Sequence, residues 1–426
     1  MLTSRKPKNI KYHNQRLILA LLRSREVMTA GELAEQAHLS VPTITKILAE
    51  LQARGLVKSM GKGNSTEEGG KKPELFALNG AHRYVISITA GSERIKCALL
   101  DLTCKVLDKR SLPYTDGSSY ESCMDDISAL VIAACEAGKL EEKEICGIAI
   151  GFEGIVDAPR GILRFPIHNQ EWGRDLPVKE DLQARLPGFT GITINNGSRF
   201  AGYAELSEHP EYASCRVVTI STGTSTGGCV LENGVLMQGA NGFIGELGHI
   251  TVRETEEKAC ACGNKGCFET AVSPDALCGY MQELEKAFPR EKEPAADRSG
   301  SCDYEKILRL AAKGDACARK AVEKSIDYYS ILIRNIMLLY DPHIIVIQGI
   351  YTLAGDFFLK RLQELVKQSP FFHIPQGLSI VFSGLDFDRA ADLGGALYSI
   401  DRYFEGEQLF EEILVQEWKT GKKAKG

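Results

Sequence analysis

The stretch Gly239-Ala-Asn-Gly-Phe-Ile-Gly-Glu-Leu-Gly-His249, followed by Cys260-Ala-Cys-Gly-Asn-Lys-Gly-Cys-Phe-Glu269, decides how the rest of the chain is read. His249, Cys260, Cys262 and Cys267 supply one imidazole and three thiolates, a donor set that closes a tetrahedron around Zn2+. Four protein ligands leave no position for water, so the spacing predicts a structural ion rather than a catalytic one. Gly263 and Gly266 supply the tight turns that let the sulfurs converge. The other cysteines among the 13 are scattered, and most read as reduced core residues rather than a disulfide framework.

On both sides of this cluster the pattern is α/β. Apolar, strand-like runs fall at Tyr84–Ile88, Ile95–Leu100, Ile145–Ile150, Ile192–Ile194, Val217–Ile220 and Ile344–Ile347. Helical stretches such as Asp125–Ala137 and Ala316–Leu339 alternate with them. Ser221-Thr-Gly-Thr-Ser-Thr-Gly-Gly228 follows a strand and reads as a glycine loop able to cradle phosphate with backbone amides. Glu283–Ser301, rich in charge, Pro, Ser and Gly, reads as a surface loop.

The first 80 residues read as a winged helix-turn-helix. Leu17, Ile18, Leu21 and Leu22 give a first helix after Asn14. Thr29 and Glu32 have capping-box spacing and open a second helix through Leu33, Ala34 and Ala37. Ser40 caps a third helix, with Pro42 in its first turn, where amide donors are unpaired anyway. Ile44, Ile47, Leu48 and Leu51 form its buried stripe, so Ser40, Pro42, Thr43, Thr45 and Lys46 are left as candidate contacts to a major groove. Gly55-Leu-Val57 and Leu75–Leu78 read as strands flanking a wing over Gly61–Lys72, on which Lys71 and Lys72 are candidate contacts to DNA phosphates.

Charge supports the same division. Residues 1–80 hold 13 Lys/Arg against 7 Asp/Glu, leaving 38 against 49 for the remainder of a chain whose net charge is −5. A basic head on an acidic body suits a head that meets phosphates. No run approaches the roughly 20 apolar residues of a membrane span. Met1–Lys11 is basic without an apolar signal core, which reads as a cytoplasmic protein.

Taken with Gly151-Phe-Glu-Gly-Ile-Val-Asp157, Leu310-Ala-Ala-Lys-Gly-Asp315 and Gly394-Gly-Ala396, the opening stretch resembles the signature of the ROK family (repressors, open reading frames and sugar kinases) over nearly the whole chain. The added head resembles the repressor branch, which includes xylose and N-acetylglucosamine repressors. The resemblance implies an actin-like, ribonuclease-H-like body of two lobes around a sugar cleft. The units it suggests are residues 1–80 as the head, 81–200 with a C-terminal helix at about 385–405 as the first lobe, and 201–384, with the zinc loop 249–267, as the second.

Family kinases carry an Asn-Asp pair at the base of the cleft, where the aspartate removes a proton from the sugar hydroxyl. The matching pair here is Asn195-Asn196. An amide cannot serve as general base, although it still binds hydroxyls. Thr89 stands where the family has an aspartate in its first phosphate loop, Glu93 follows it, Ser225 replaces a glycine of the second loop, and Gln348 replaces a glycine near the adenosine end. On the sugar side, Glu246, His249 and Glu269 match family positions that contact hydroxyls, and Asn169 before Trp172 is a further candidate. His249 would then serve the ion through one nitrogen and the sugar through the other.

These features predict a dimeric or tetrameric repressor with partners in operator DNA and a sugar or sugar phosphate, and with a cleft that binds without chemistry. Two other readings remain: an active sugar kinase with an added head, and control by a protein of a sugar transport system.

Overall fold

The computed structural model describes residues 7–63, 72–114, 118–253, 259–287, 302–368 and 378–405. Lys71, most of the expected wing tip and residues 288–301 of the expected loop lie outside the described residues.

The head contains helices Pro7–Arg25, Ala30–Gln36 and Val41–Ala53 and a three-stranded antiparallel sheet built from Met28–Thr29, Glu74–Leu78 and Val57–Lys62. The Thr29–Glu32 capping box is formed in full, with the Thr29 hydroxyl accepting from the Glu32 amide and the Glu32 carboxylate accepting from Thr29. The first helix begins earlier than expected and buries Gln15, Ile18, Leu19 and Leu22; Leu17 and Leu21 are half-buried. The stripe rotates because this helix is covered on two sides, by the head and by the body.

Among the described residues the body holds two five-stranded mixed sheets of like layout and a two-stranded antiparallel sheet, Gly154–Asp157 with Ile162–Pro166. In the first, strands run in the order Ile192–Asn196, Ile145–Phe152, Tyr84–Ala90, Arg94–Asp101, Val106–Pro113. In the second the order is Ser379–Phe382, Ile344–Gly349, Arg216–Thr222, Thr226–Glu232, Val235–Leu236. Each joins an antiparallel meander to two parallel strands, and helices such as Tyr120–Gly138 and Ala316–Tyr340 cover the faces. The strand Val106–Pro113 is exposed at every second residue, the alternation of an edge strand.

Three local expectations change. Only Gly223–Ser225 forms the turn of the glycine stretch; Gly227 and Gly228 lie within a strand, where a Cβ on Gly228 would come within 2.1 Å of the Thr219 carbonyl. Those two glycines permit close strand packing. Glu283–Ala287 continues the helix Pro274–Ala287. Cys278 and Cys302 are joined in a disulfide, and the remaining eleven cysteines are free thiols.

The C-terminal helix Phe387–Glu405 crosses the helix Gly197–Tyr203 at Gly394, where a Cβ would stand 1.7 Å from the Phe200 carbonyl. Its far end enters the head: Ala396, Ile400 and Phe404 share one core with Ile18, Leu19 and Leu22. Among the described residues, no helix is long and apolar enough to cross a membrane.

Candidate functional site

A cleft of about 440 Å3 opens between the two sheets. Its floor is set by the turn after Ile192–Asn196. Asn196 caps the helix Gly197–Tyr203 by accepting from the Ser198 amide at 2.8 Å, which fixes its side chain at the cleft. The Asn196 amide nitrogen donates to the Gly154 carbonyl at 2.9 Å and to Glu246 Oε1 at 3.3 Å. Both are acceptors, so the position uses a donor that an aspartate lacks.

Glu246 is held from beneath by Arg199, a guanidinium only 1% exposed. Arg199 also donates to the carbonyls of Val156 and Gly242 and to Asn195 Oδ1. Burial pushes the Glu246 carboxyl up to about 7; Arg199 opposes the shift and Glu269 adds to it. Glu269 Oε2 accepts from the Thr226 amide at 2.7 Å, and its other oxygen is 3.5 Å from Cys260 Sγ. Asn196, Glu246, His249 and Glu269 therefore converge on one wall.

Asn195 is fully buried, and its side chain supports Asn196 and Arg199 instead of lining the cleft. Asn169 lines a smaller adjoining recess with His168, Trp172 and Tyr114. Two groups absent from the sequence reading appear nearby. Glu153 lines both recesses and meets His168 Nε2 at 2.9 Å, and that hydrogen bond raises the histidine's pKa. Glu153 lies inside the Gly151–Asp157 stretch without an assigned role and His168 belongs to no motif; only the fold brings the two together. Arg199 had one faint signal, a lone cation in the otherwise apolar run Phe-Ala-Gly-Tyr203.

The Cys/His cluster forms behind this wall. The ligand atoms of His249, Cys260, Cys262 and Cys267 all lie within 4.8 Å of one another. His249 Nδ1 is 3.5 Å from Cys260 Sγ, and Cys262 Sγ is 3.7 Å from Cys267 Sγ. A tetrahedral ion with bonds of about 2.3 Å to sulfur sets its ligands about 3.7 Å apart, so the side chains fit such an ion. Gly263 and Gly266 take positive φ, as the turns require, and a Cβ on Gly266 would meet the Arg253 carbonyl at 2.0 Å. Nδ1 faces the sulfurs, which leaves Nε2 as the other nitrogen of a residue that also lines the cleft.

The sequence matches the ROK family over residues 85–397. The chain belongs to the ROK family. Residues 11–63 match the MarR family. The xylose repressor of Caldicellulosiruptor bescii is 25% identical over 392 residues, covering 90% of this chain and 94% of that protein. The DNA-binding transcriptional dual regulator NagC of Escherichia coli (strain K12) is 26% identical over 407 residues, covering 95% and 96%. A ROK family transcriptional regulator described as a homolog of the E. coli MLC protein has the same fold, with a TM-score of 0.73 at 22% identity over 95% of this chain and 99% of that one.

Of the positions expected on the nucleotide side, Thr89 donates to Asp392 Oδ1 at 2.9 Å, and Glu93 and Ser225 line the cleft. Gln348 does not reach it. Its amide is buried, accepts from Ser221 at 2.5 Å and donates to the Ala201 carbonyl and to Glu205.

In the head, Ser40, Pro42, Thr43, Thr45 and Lys46 are all exposed on one face of Val41–Ala53, opposite the buried Ile44, Ile47, Leu48 and Leu51. Lys58, Lys62 and Lys72 are exposed on or beside the two wing strands. One helix face and one wing thus present basic groups together, the arrangement of a duplex-binding head.

Proposed function

We propose that this chain is a cytoplasmic, sugar-responsive transcriptional repressor, whose kinase-like cleft binds a sugar or sugar phosphate without phosphorylating it. The observation that carries this reading is the use of Asn196 as a hydrogen-bond donor to Gly154 and Glu246, at the place where a kinase needs a carboxylate base. Asn196, Glu246, His249 and Glu269 hold the hydroxyls, with Asn195 orienting Asn196 from behind and Asn169 contributing from the adjoining recess. Carboxylates and amides discriminate epimers because a misplaced hydroxyl leaves them buried and unpaired.

The metal in this reading is Zn2+ held by His249, Cys260, Cys262 and Cys267. Bound there, the ion would fix His249, and through Cys260 the neighbouring Glu269, in place at the cleft. Ser40, Pro42, Thr43, Thr45 and Lys46 enter the major groove, and Lys71 and Lys72 contact phosphates. Residues 1–80 act as the head, 81–200 with 385–405 as the first lobe, and 201–384 as the second. Ile331, Leu338 and Leu339, exposed on Ala316–Tyr340, support a homodimer that meets two half-sites.

Coupling between cleft and head follows a pair of helices. Asn196 caps Gly197–Tyr203; Tyr203 donates to Asp401 at 2.8 Å; Asp401 pairs with Arg23 of the head's first helix at 2.7 Å. Arg16 donates to the carbonyls of Phe404 and Glu405. A ligand that shifts Asn196 therefore acts on the seating of the head through two rigid elements.

Thermal shift against a panel of sugars and sugar phosphates tests this reading, because a ligand of the folded state raises apparent stability. At least one member raises the midpoint and alters binding to operator DNA. No shift with any member would favour control by a protein partner, and ATP-dependent turnover would favour the kinase.

A further inference from the structure

The recognition helix carries an unusual face. Its exposed positions from Val41 to Ala49 are Val41, Pro42, Thr43, Thr45, Lys46 and Ala49, with Val41 48% exposed. Arginine or lysine reads guanine, and asparagine or glutamine reads adenine; of these only Lys46 is on this face, and the other five exposed positions carry none of them. Its hydroxyls are already engaged. Thr45 donates to the Val41 carbonyl at 2.9 Å, and Ser40 and Thr43 share a hydrogen bond of 2.8 Å, with Ser40 also accepting from the Thr43 amide.

The Thr45 donor is used within the helix, and most of the remaining surface of the face is apolar: the γ-methyls of Thr43 and Thr45, the Val41 isopropyl, the Pro42 ring and the Ala49 methyl. Lys46 is the one cation among them. An apolar helix face exposed to water is a liability unless it meets an apolar partner. In a major groove the apolar group on offer is the 5-methyl of thymine.

We propose that the head reads its operator through thymine methyl groups, with Val41, Thr43 and Thr45 as the specificity-determining residues and the lysines of helix and wing supplying sequence-independent attachment to phosphates. This rests on the DNA-binding role proposed above. It makes the half-site a step that contains thymine and is chosen in part by methyl contact.

The test uses the full-length chain and a duplex enriched by it from a random-sequence library at fixed salt. That duplex is remade with deoxyuridine for every thymidine, which removes the methyl and keeps the pairing edge. Each methyl lost from a contact weakens binding about four-fold, from the transfer free energy of one buried carbon. Thr45→Ser, which keeps the hydroxyl and its bond to Val41, and Val41→Ala each weaken binding to the thymidine duplex and add little on the deoxyuridine duplex. Equal affinity for the two duplexes would overturn the proposal while leaving the DNA-binding role intact. Failure to enrich any duplex would overturn both.

Discussion

Asn196 is an amide whose surroundings require an amide. Its nitrogen points at a carbonyl and a carboxylate, so Asn196→Asp would remove two hydrogen bonds and set a second negative charge 3.3 Å from Glu246 Oε1. We expect no recovery of phosphoryl transfer and a loss of roughly 1–3 kcal/mol in stability, the cost of leaving buried polar groups unpaired; ATP turnover and thermal unfolding of the variant measure the two. Glu205 gives a pH test. Burial raises its pKa, while Ser383 and Gln348 donate to one oxygen and pull the other way. The folded state thus keeps a proton that the unfolded chain has already released. Stability is greatest below the ordinary carboxylate range and falls as pH rises through the raised value. Glu205→Gln removes that slope, which unfolding midpoints of both proteins across pH 4–8 would show as a steeper decline in the parent; parallel curves would refute it.

Among elements, the loop from His249 to Cys267 has the most local logic. Two glycines at positive φ and four ligands at fixed spacing bring its side chains together, and Glu269 stands directly after it in the first turn of the short helix Phe268–Val272. Cys262→Ser is expected to reduce bound zinc below half an equivalent and to weaken sugar binding with it, because His249 and Glu269 lose their support. Elemental analysis with calorimetry on the same preparation checks both. The head's second helix depends on its cap, and Thr29→Ala is expected to speed amide hydrogen exchange over Ala30–Gln36 about five-fold, matching the ~1 kcal/mol of a lost N-cap. Periodicity exposed the head's second and third helices because each buries a single face, and it misplaced the stripe of the first, which is covered on two. It did not expose Val106–Pro113, whose inward positions include Asp108 and Arg110 while Leu107 faces solvent, or the strand Thr226–Glu232, whose glycines imitate a loop.

Across the whole molecule, cleft and head are joined by a chain of contacts that no local pattern displays. Asp401 receives Arg23 from a helix 378 positions earlier and Tyr203 from one 198 positions earlier. Asp401→Asn should leave sugar and DNA affinities near those of the parent while lowering the factor by which one ligand changes the other. That factor is typically about 5- to 150-fold in coupled systems; DNA titrations with and without the sugar report it, and an unchanged factor would rule out this route. The amino-acid sequence by itself determined the metal donor set, the winged head, the alternating body and the amide in place of the catalytic carboxylate, since these depend on residue identity, short spacing and periodicity. Tertiary structure alone decided that Asn195 faces Arg199 while Asn196 faces the cleft, that Asn169 falls in the adjoining recess, that Gln348 turns into a buried network, and that the head shares its core with the C-terminal helix. Those outcomes depend on which distant surfaces exclude water together, and spacing along the chain carries no record of that.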